Sequence, residues 1–107
     1  MKTATIETLL DKATTSWDGA ELMSYPEGKP CFSMQKITIP AHTKMQAHSH
    51  TIMQLGYIIS GELTITLESG QTVTYTEGEP AIEVVGKVHC GENRGDVDTV
   101  VVVVSIL

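Results

Sequence analysis

Three histidines and one glutamine in this chain have the types and spacing of a metal centre. His48 and His50 lie two residues apart within AHTKMQAHSHTIMQLGYIISG, the stretch from Ala41 to Gly61. An extended backbone there puts both imidazoles on one face and turns Ser49 away. Two imidazoles rarely make a site alone. Gln54 follows four residues after His50, and His89 lies far downstream in GKVHCGEN. Together they offer three ring nitrogens and an amide oxygen, a donor set for one divalent transition metal ion: zinc, nickel, iron, copper or manganese. A lone H-x-H pair occurs by chance, so the weight rests on the third histidine and the amide.

The registers around these residues resemble the cupin family. Cupins carry a first motif of the form G, five residues, H-x-H, three or four residues, E, six residues, G. Their second has the form G, five residues, P, one residue, G, two residues, H, three residues, N. Against the first, this sequence places His42 at the leading glycine, then His48, His50, Gln54 and Gly61 in register. Against the second it gives Gly78, Val84 in place of the proline, Gly86, His89 and Asn93. The motifs cover about half the chain, from Ala41 to Asn93, and the pair is far more specific than either alone. The resemblance implies an all-β fold, the cupin double-stranded β-helix or jelly-roll barrel, with His48, His50, Gln54 and His89 as metal ligands.

Gln54 departs from the family's usual glutamate. Glutamine keeps a coordinating oxygen and loses the charge, so three histidines and one glutamine leave the +2 of an ion uncompensated. Affinity for hard ions such as manganese should fall, a bound water should become more acidic, and the ligand set no longer contains a general base. Some cupins, polyketide cyclases among them, carry this three-histidine, one-glutamine set. The bland alternative is a degenerate site in which Gln54 is no ligand. His42, in a turn before the pair, reads as an exposed or supporting histidine rather than a fifth ligand.

By resemblance, the expected function is a metal-dependent enzyme acting on a small oxygen-bearing organic molecule. Iron, nickel or copper would imply a dioxygenase, and zinc a Lewis-acid cyclase, isomerase or hydrolytic enzyme. A non-catalytic cupin that binds or senses a metal or small ligand is the alternative. Tyr57 and Tyr75 carry phenols able to donate a proton, and Tyr57 is the candidate catalytic residue. Met34, Met45, Ile52, Met53 and Ile59 suit either a deformable pocket or plain core packing. Asn93 is expected to fix a turn.

The whole chain fits one domain, residues 1–107, of 107 residues with 41% hydrophobic and 19% charged content. A formal net charge of -6 without any lysine or arginine cluster argues against nucleic acid and for a small neutral or cationic ligand. Glu7 and Asp11 interrupt the N-terminal apolar positions, so no signal peptide is read there. The apolar run Val100 to Leu107 is too short for a membrane span. A soluble cytoplasmic protein is the default, with Cys31 and Cys90 reduced and inert.

The elements that must position these residues follow from periodicity. Ile6, Leu9 and Leu10 predict a short helix over Thr5–Ala13, within an arm of residues 1–18 packed outside a barrel of residues 19–107. Strands are expected at Ala20–Tyr25, Cys31–Ile39, Gln46–His50, Met53–Ile59, Glu62–Glu68, Gln71–Thr76, Ala81–Val85, Val88–Cys90 and Thr99–Ile106. A hairpin connection is read at Pro26–Pro30. The valine run of the last strand predicts burial on both faces, between sheets or against a second subunit, and hence a homodimer.

Overall fold

The alternating apolar and β-branched segments pair as antiparallel strands. The computed structural model describes residues 3–107, with eight strands: β1 Phe32–Ile39, β2 Thr43–Lys44, β3 Met53–Ser60, β4 Glu62–Leu67, β5 Thr72–Thr76, β6 Pro80–Ile82, β7 His89–Asn93 and β8 Thr99–Ile106. They form two four-stranded sheets, ordered β1-β8-β3-β6 and β2-β7-β4-β5. Every pairing is antiparallel. Period-two alternation turns Ile37 and Ile39 of β1, Ile58 of β3 and Val101 of β8 toward Leu63 and Ile65 of β4 across the space between sheets. Ile39, Ile58, Ile65 and Val101 are buried there, and with Leu67, Ala81 and Val84 they make up the buried apolar core.

Two residues at the ends of the family's motifs hold the sheets together. The chain crosses from β3 to β4 at Gly61, just after a register shift between Ile58 and Ser60. Gly61 has φ +79°, and a Cβ there would stand 2.6 Å from the Asp98 carbonyl oxygen and 2.9 Å from Thr99 Cα. Only glycine allows both the left-handed backbone and this approach. Asn93 is fully buried. Its amide donates to the carbonyls of Ile39 (2.9 Å) and Val97 (2.7 Å) and accepts from Gly95 N–H at 2.9 Å. It fixes the turn into β8, as expected.

The N-terminal expectations require correction. No helix occurs among the described residues, and the predicted helix over Thr5–Ala13 is instead irregular, with bends at residues 9–12 and Lys12 at φ 53°. Three apolar residues cannot offset the cost of helix nucleation, and the β-branched Thr5 and Thr8 oppose it further. Leu9 and Leu10 instead line an open groove with Leu55, Tyr57, Val102 and Val104 on the outside of the first sheet. The expected strand Ala20–Tyr25 is absent too: only Glu21 pairs, in an isolated bridge to Thr15. With no strand before it, Pro26–Pro30 is not a hairpin connection, and regular structure begins at Phe32.

What the arm does form is a tight turn, with Ser16 N–H donating to Ala20 O at 2.9 Å. Asp18 closes it, accepting from Ser16 Oγ (2.6 Å), from Ala20 N–H (3.2 Å) and from the Lys87 ammonium. Trp17 N–H donates to Ile82 O at 3.1 Å, so the arm lies along the edge strand β6.

The valine run is buried on one face only. Thr99, Val101 and Ser105 are buried, whereas Val100, Val102 and Val104 are half-buried on the outer face. Across that outer face Phe32, Met34, Leu55 and Ile59 are exposed.

Candidate metal centre

The centre is assembled by the second sheet's edge. Beyond β2, the backbone continues antiparallel to β7: Met45 N–H donates to Gly91 O at 2.9 Å, and His48 and His89 exchange two hydrogen bonds of 2.9 Å each. This isolated bridge makes His48 and His89 direct cross-strand partners, with side chains on one face. His50, two residues on, joins them, and its carbonyl is held by Gly86 N–H at 2.8 Å. The ring centroids lie 4.6 Å (His48–His89), 5.0 Å (His50–His89) and 6.0 Å (His48–His50) apart. One nitrogen of each ring lies within 4.8 Å of the others.

Hydrogen bonding decides which nitrogen faces inward. Nδ1 of His48, His50 and His89 lies 3.1, 3.1 and 2.9 Å from the carbonyls of Gln46, Ile52 and Lys87. A carbonyl can only accept, so each Nδ1 carries a proton, and in the neutral ring each Nε2 then presents a bare lone pair, the tautomer a metal ligand needs. His50 Nε2 is buried without any hydrogen-bond partner. Burial, the largest influence, pushes the His50 pKa below its usual value against the opposing pull of the Ile52 carbonyl, which favours the neutral ring. An orphaned, neutral, buried nitrogen beside two more imidazoles fits a cation.

Other predicted residues fall in different places. Gln54 lines the cavity between the sheets together with His48 and His89, and its amide donates to Ser105 Oγ at 3.1 Å. His42 is exposed, paired with Asp96 at 2.9 Å, and holds a left-handed φ of 55° at the position of the motif's leading glycine. Tyr57, the candidate catalytic residue, lies on the opposite face of β3 from Gln54, against Leu9 and Leu10 in the outer groove. Its phenol is therefore outside the cavity. Cys90 donates to Met45 O at 3.0 Å, and Cys31 and Cys90 are free thiols.

Glu83 is the residue that sequence reasoning passed over. It follows β6, and its N–H donates to Gln54 O at 3.1 Å, extending the β3 pairing by one step. Alternation turns it inward beside Ala81, so it lines the same cavity as Gln54 and His89. An acid flanked by Ala81, Ile82, Val84 and Val85 was the available signal, since a carboxylate within an apolar strand needs a partner. The cavity has a volume of about 220 Å³ and is walled by aliphatic side chains including Ile37, Ile58, Leu63 and Val103.

Comparison with known proteins gives the same picture. The family model of the cupin domain matches residues 35–105. No curated protein matches the chain. Among solved structures, a predicted oxalate decarboxylase from Thermotoga maritima is similar at 25% identity and TM-score 0.61, over 69% of this chain. The match spans only 64% of that chain. A cupin domain from Bordetella pertussis Tohama I matches at 20% identity and TM-score 0.62, covering 79% of this chain and 98% of its own. An uncharacterized conserved protein with a double-stranded β-helix domain from Klebsiella pneumoniae matches at 21% identity and TM-score 0.62, covering 77% and 80%.

Proposed function

Because the chain belongs to the cupin family, we propose that it is a metal-dependent enzyme for a small oxygen-bearing organic molecule. His48, His50 and His89 would hold one divalent transition metal ion through their Nε2 atoms, with the Gln54 amide oxygen as a further donor. The observation that carries this is the buried, unpartnered Nε2 of His50 beside two other rings in the matching tautomer. A bound ion supplies Lewis-acid polarisation, or redox chemistry if it is iron or copper. The chain's own residues do the rest. Three backbone carbonyls fix the rings, and largely aliphatic walls shape a cavity of about 220 Å³ for a small molecule. His48 is exposed, so a small molecule could approach the three rings from its side. Zinc would make the reaction cyclase- or isomerase-like, and iron, nickel or copper dioxygenase-like. The similarity to a predicted oxalate decarboxylase supports a small, oxygen-rich substrate.

We also propose a homodimer and a reducing, cytoplasmic setting. The supports are the exposed Phe32, Met34, Leu55 and Ile59 on one sheet face and the two free thiols. Elemental analysis tests the central claim: close to one transition-metal ion per chain is expected, and His89→Ala should remove it. A wild-type protein that is empty and refuses added zinc, nickel and iron would end the metal reading.

A further inference from the structure

On the premise that the three histidines hold an ion, we propose that Glu83 supplies the anionic ligand which Gln54 cannot. Three neutral imidazoles and a carboxamide leave a divalent ion with its whole charge in an apolar cavity, an environment in which uncompensated charge is costly. Glu83 brings a carboxylate to that place from a different strand. Its side chain is only 19% exposed, and among the described residues no lysine or arginine pairs with it.

The two carboxylate oxygens have separate duties. Oε1 accepts from Trp17 Nε1 at 3.0 Å and from Val84 N–H at 2.9 Å. Those two donors anchor Oε1 and leave Oε2 3.8 Å from His89 Nε2, with the carboxylate outside the cluster that the three rings form within 4.8 Å. Two donors each about 2.1 Å from one ion stand roughly 3.0 Å apart as octahedral neighbours and roughly 3.4 Å apart in a tetrahedron. The Oε2 to Nε2 separation of 3.8 Å is a few tenths of an ångström longer, a gap that a small rotation of the carboxylate about its anchored Oε1 closes. Glu83 N–H is also bonded to the Gln54 carbonyl, so the neutral and anionic donors are side by side. Trp17, from the arm, is thereby a positioning residue for a ligand.

Glu83→Gln is the direct test, because its amide oxygen can keep both Oε1 hydrogen bonds while its NH2 replaces the ligating oxygen. Zinc affinity, measured by competition against a chromophoric chelator, is expected to fall about 10- to 100-fold. The visible spectrum of the cobalt(II) form should change with the lost ligand. Gln54→Glu added to Glu83→Gln should restore most of the affinity by returning a carboxylate to the site. Zinc affinity of Glu83→Gln within twofold of wild type, or an unchanged cobalt spectrum, overturns the assignment while leaving the metal reading intact. A wild type that binds no metal sinks both together.

If Glu83→Gln does not fold, the unaltered protein gives the answer. Trp17 is the only tryptophan of the chain, and its indole is bonded to the carboxylate in question. Saturating zinc should shift its emission, and an unmoved spectrum overturns the proposal.

Discussion

Replacing Gly61 with alanine should be among the most damaging single-methyl changes available in this protein. Two costs combine. The φ of +79° places an L-residue in the left-handed region, at about 1–2 kcal/mol. The new Cβ would also stand 2.6 Å from Asp98 O and 2.9 Å from Thr99 Cα. Both are backbone atoms and cannot rotate aside, so β8 must shift from β3 and β4, at about 1–3 kcal/mol by the usual cost of overpacking. Loss of glycine's freedom in the unfolded chain returns about 0.4–1 kcal/mol. The net expectation is a loss of about 1–5 kcal/mol, set against the roughly 5–15 kcal/mol of a typical domain. Gly70→Ala is the internal reference: φ there is +98°, and nothing lies within 4 Å of the added Cβ. It carries the backbone cost alone. Urea unfolding of both variants, followed by circular dichroism, gives the difference as a shift in midpoint. If Gly61→Ala lies within about 0.5 kcal/mol of Gly70→Ala, close approach to Thr99 is not what this position protects.

Asp18 makes stability depend on acid. The hydrogen bond from Lys87, and next that from Ser16, lower its pKa to about 2 from 3.8, so the stabilisation is present above about pH 4 and is lost as pH falls through 2. Lys87 is half-exposed, which discounts the contribution to about 1 kcal/mol. Asp18→Asn should therefore be less stable than wild type at pH 7 and nearly equal near pH 2; an equal gap at both, by urea melts, removes the ion pair as the cause. The proposed dimer predicts a mass of two chains by light scattering, reduced to one by Leu55→Glu, which puts charge on the exposed apolar face. A wild type that remains monomeric at micromolar concentrations refutes it.

Much of the site was legible because its residues sit at fixed registers. His48, His50 and His89 share a face as the two motifs require, and Asn93 bonds the turn that its residue type suggested. The strand periodicity of Leu63, Ile65 and Leu67 translated directly into β4. Tyr57 was decidable as well: it lies three residues from Gln54 on one strand, and an odd spacing sends the two side chains to opposite faces. Glu83 was harder, because its partners come from the arm and from β7, and no local spacing links them. The arm misled for the converse reason. Its apolar spacing was helical, but the place where Leu9 and Leu10 settle is a groove on the first sheet, which does not exist until the sheet does.

The two mutual hydrogen bonds between His48 and His89 would make the proposed ion affinity a property of the closed chain and not of any segment. A peptide spanning either motif alone, however faithful its residues, would lack the geometry. Chelator competition would thus double as a gauge of how much of a population has its sheet edge shut, and substitutions far from the imidazoles that loosen β7 would register first as leakage of metal.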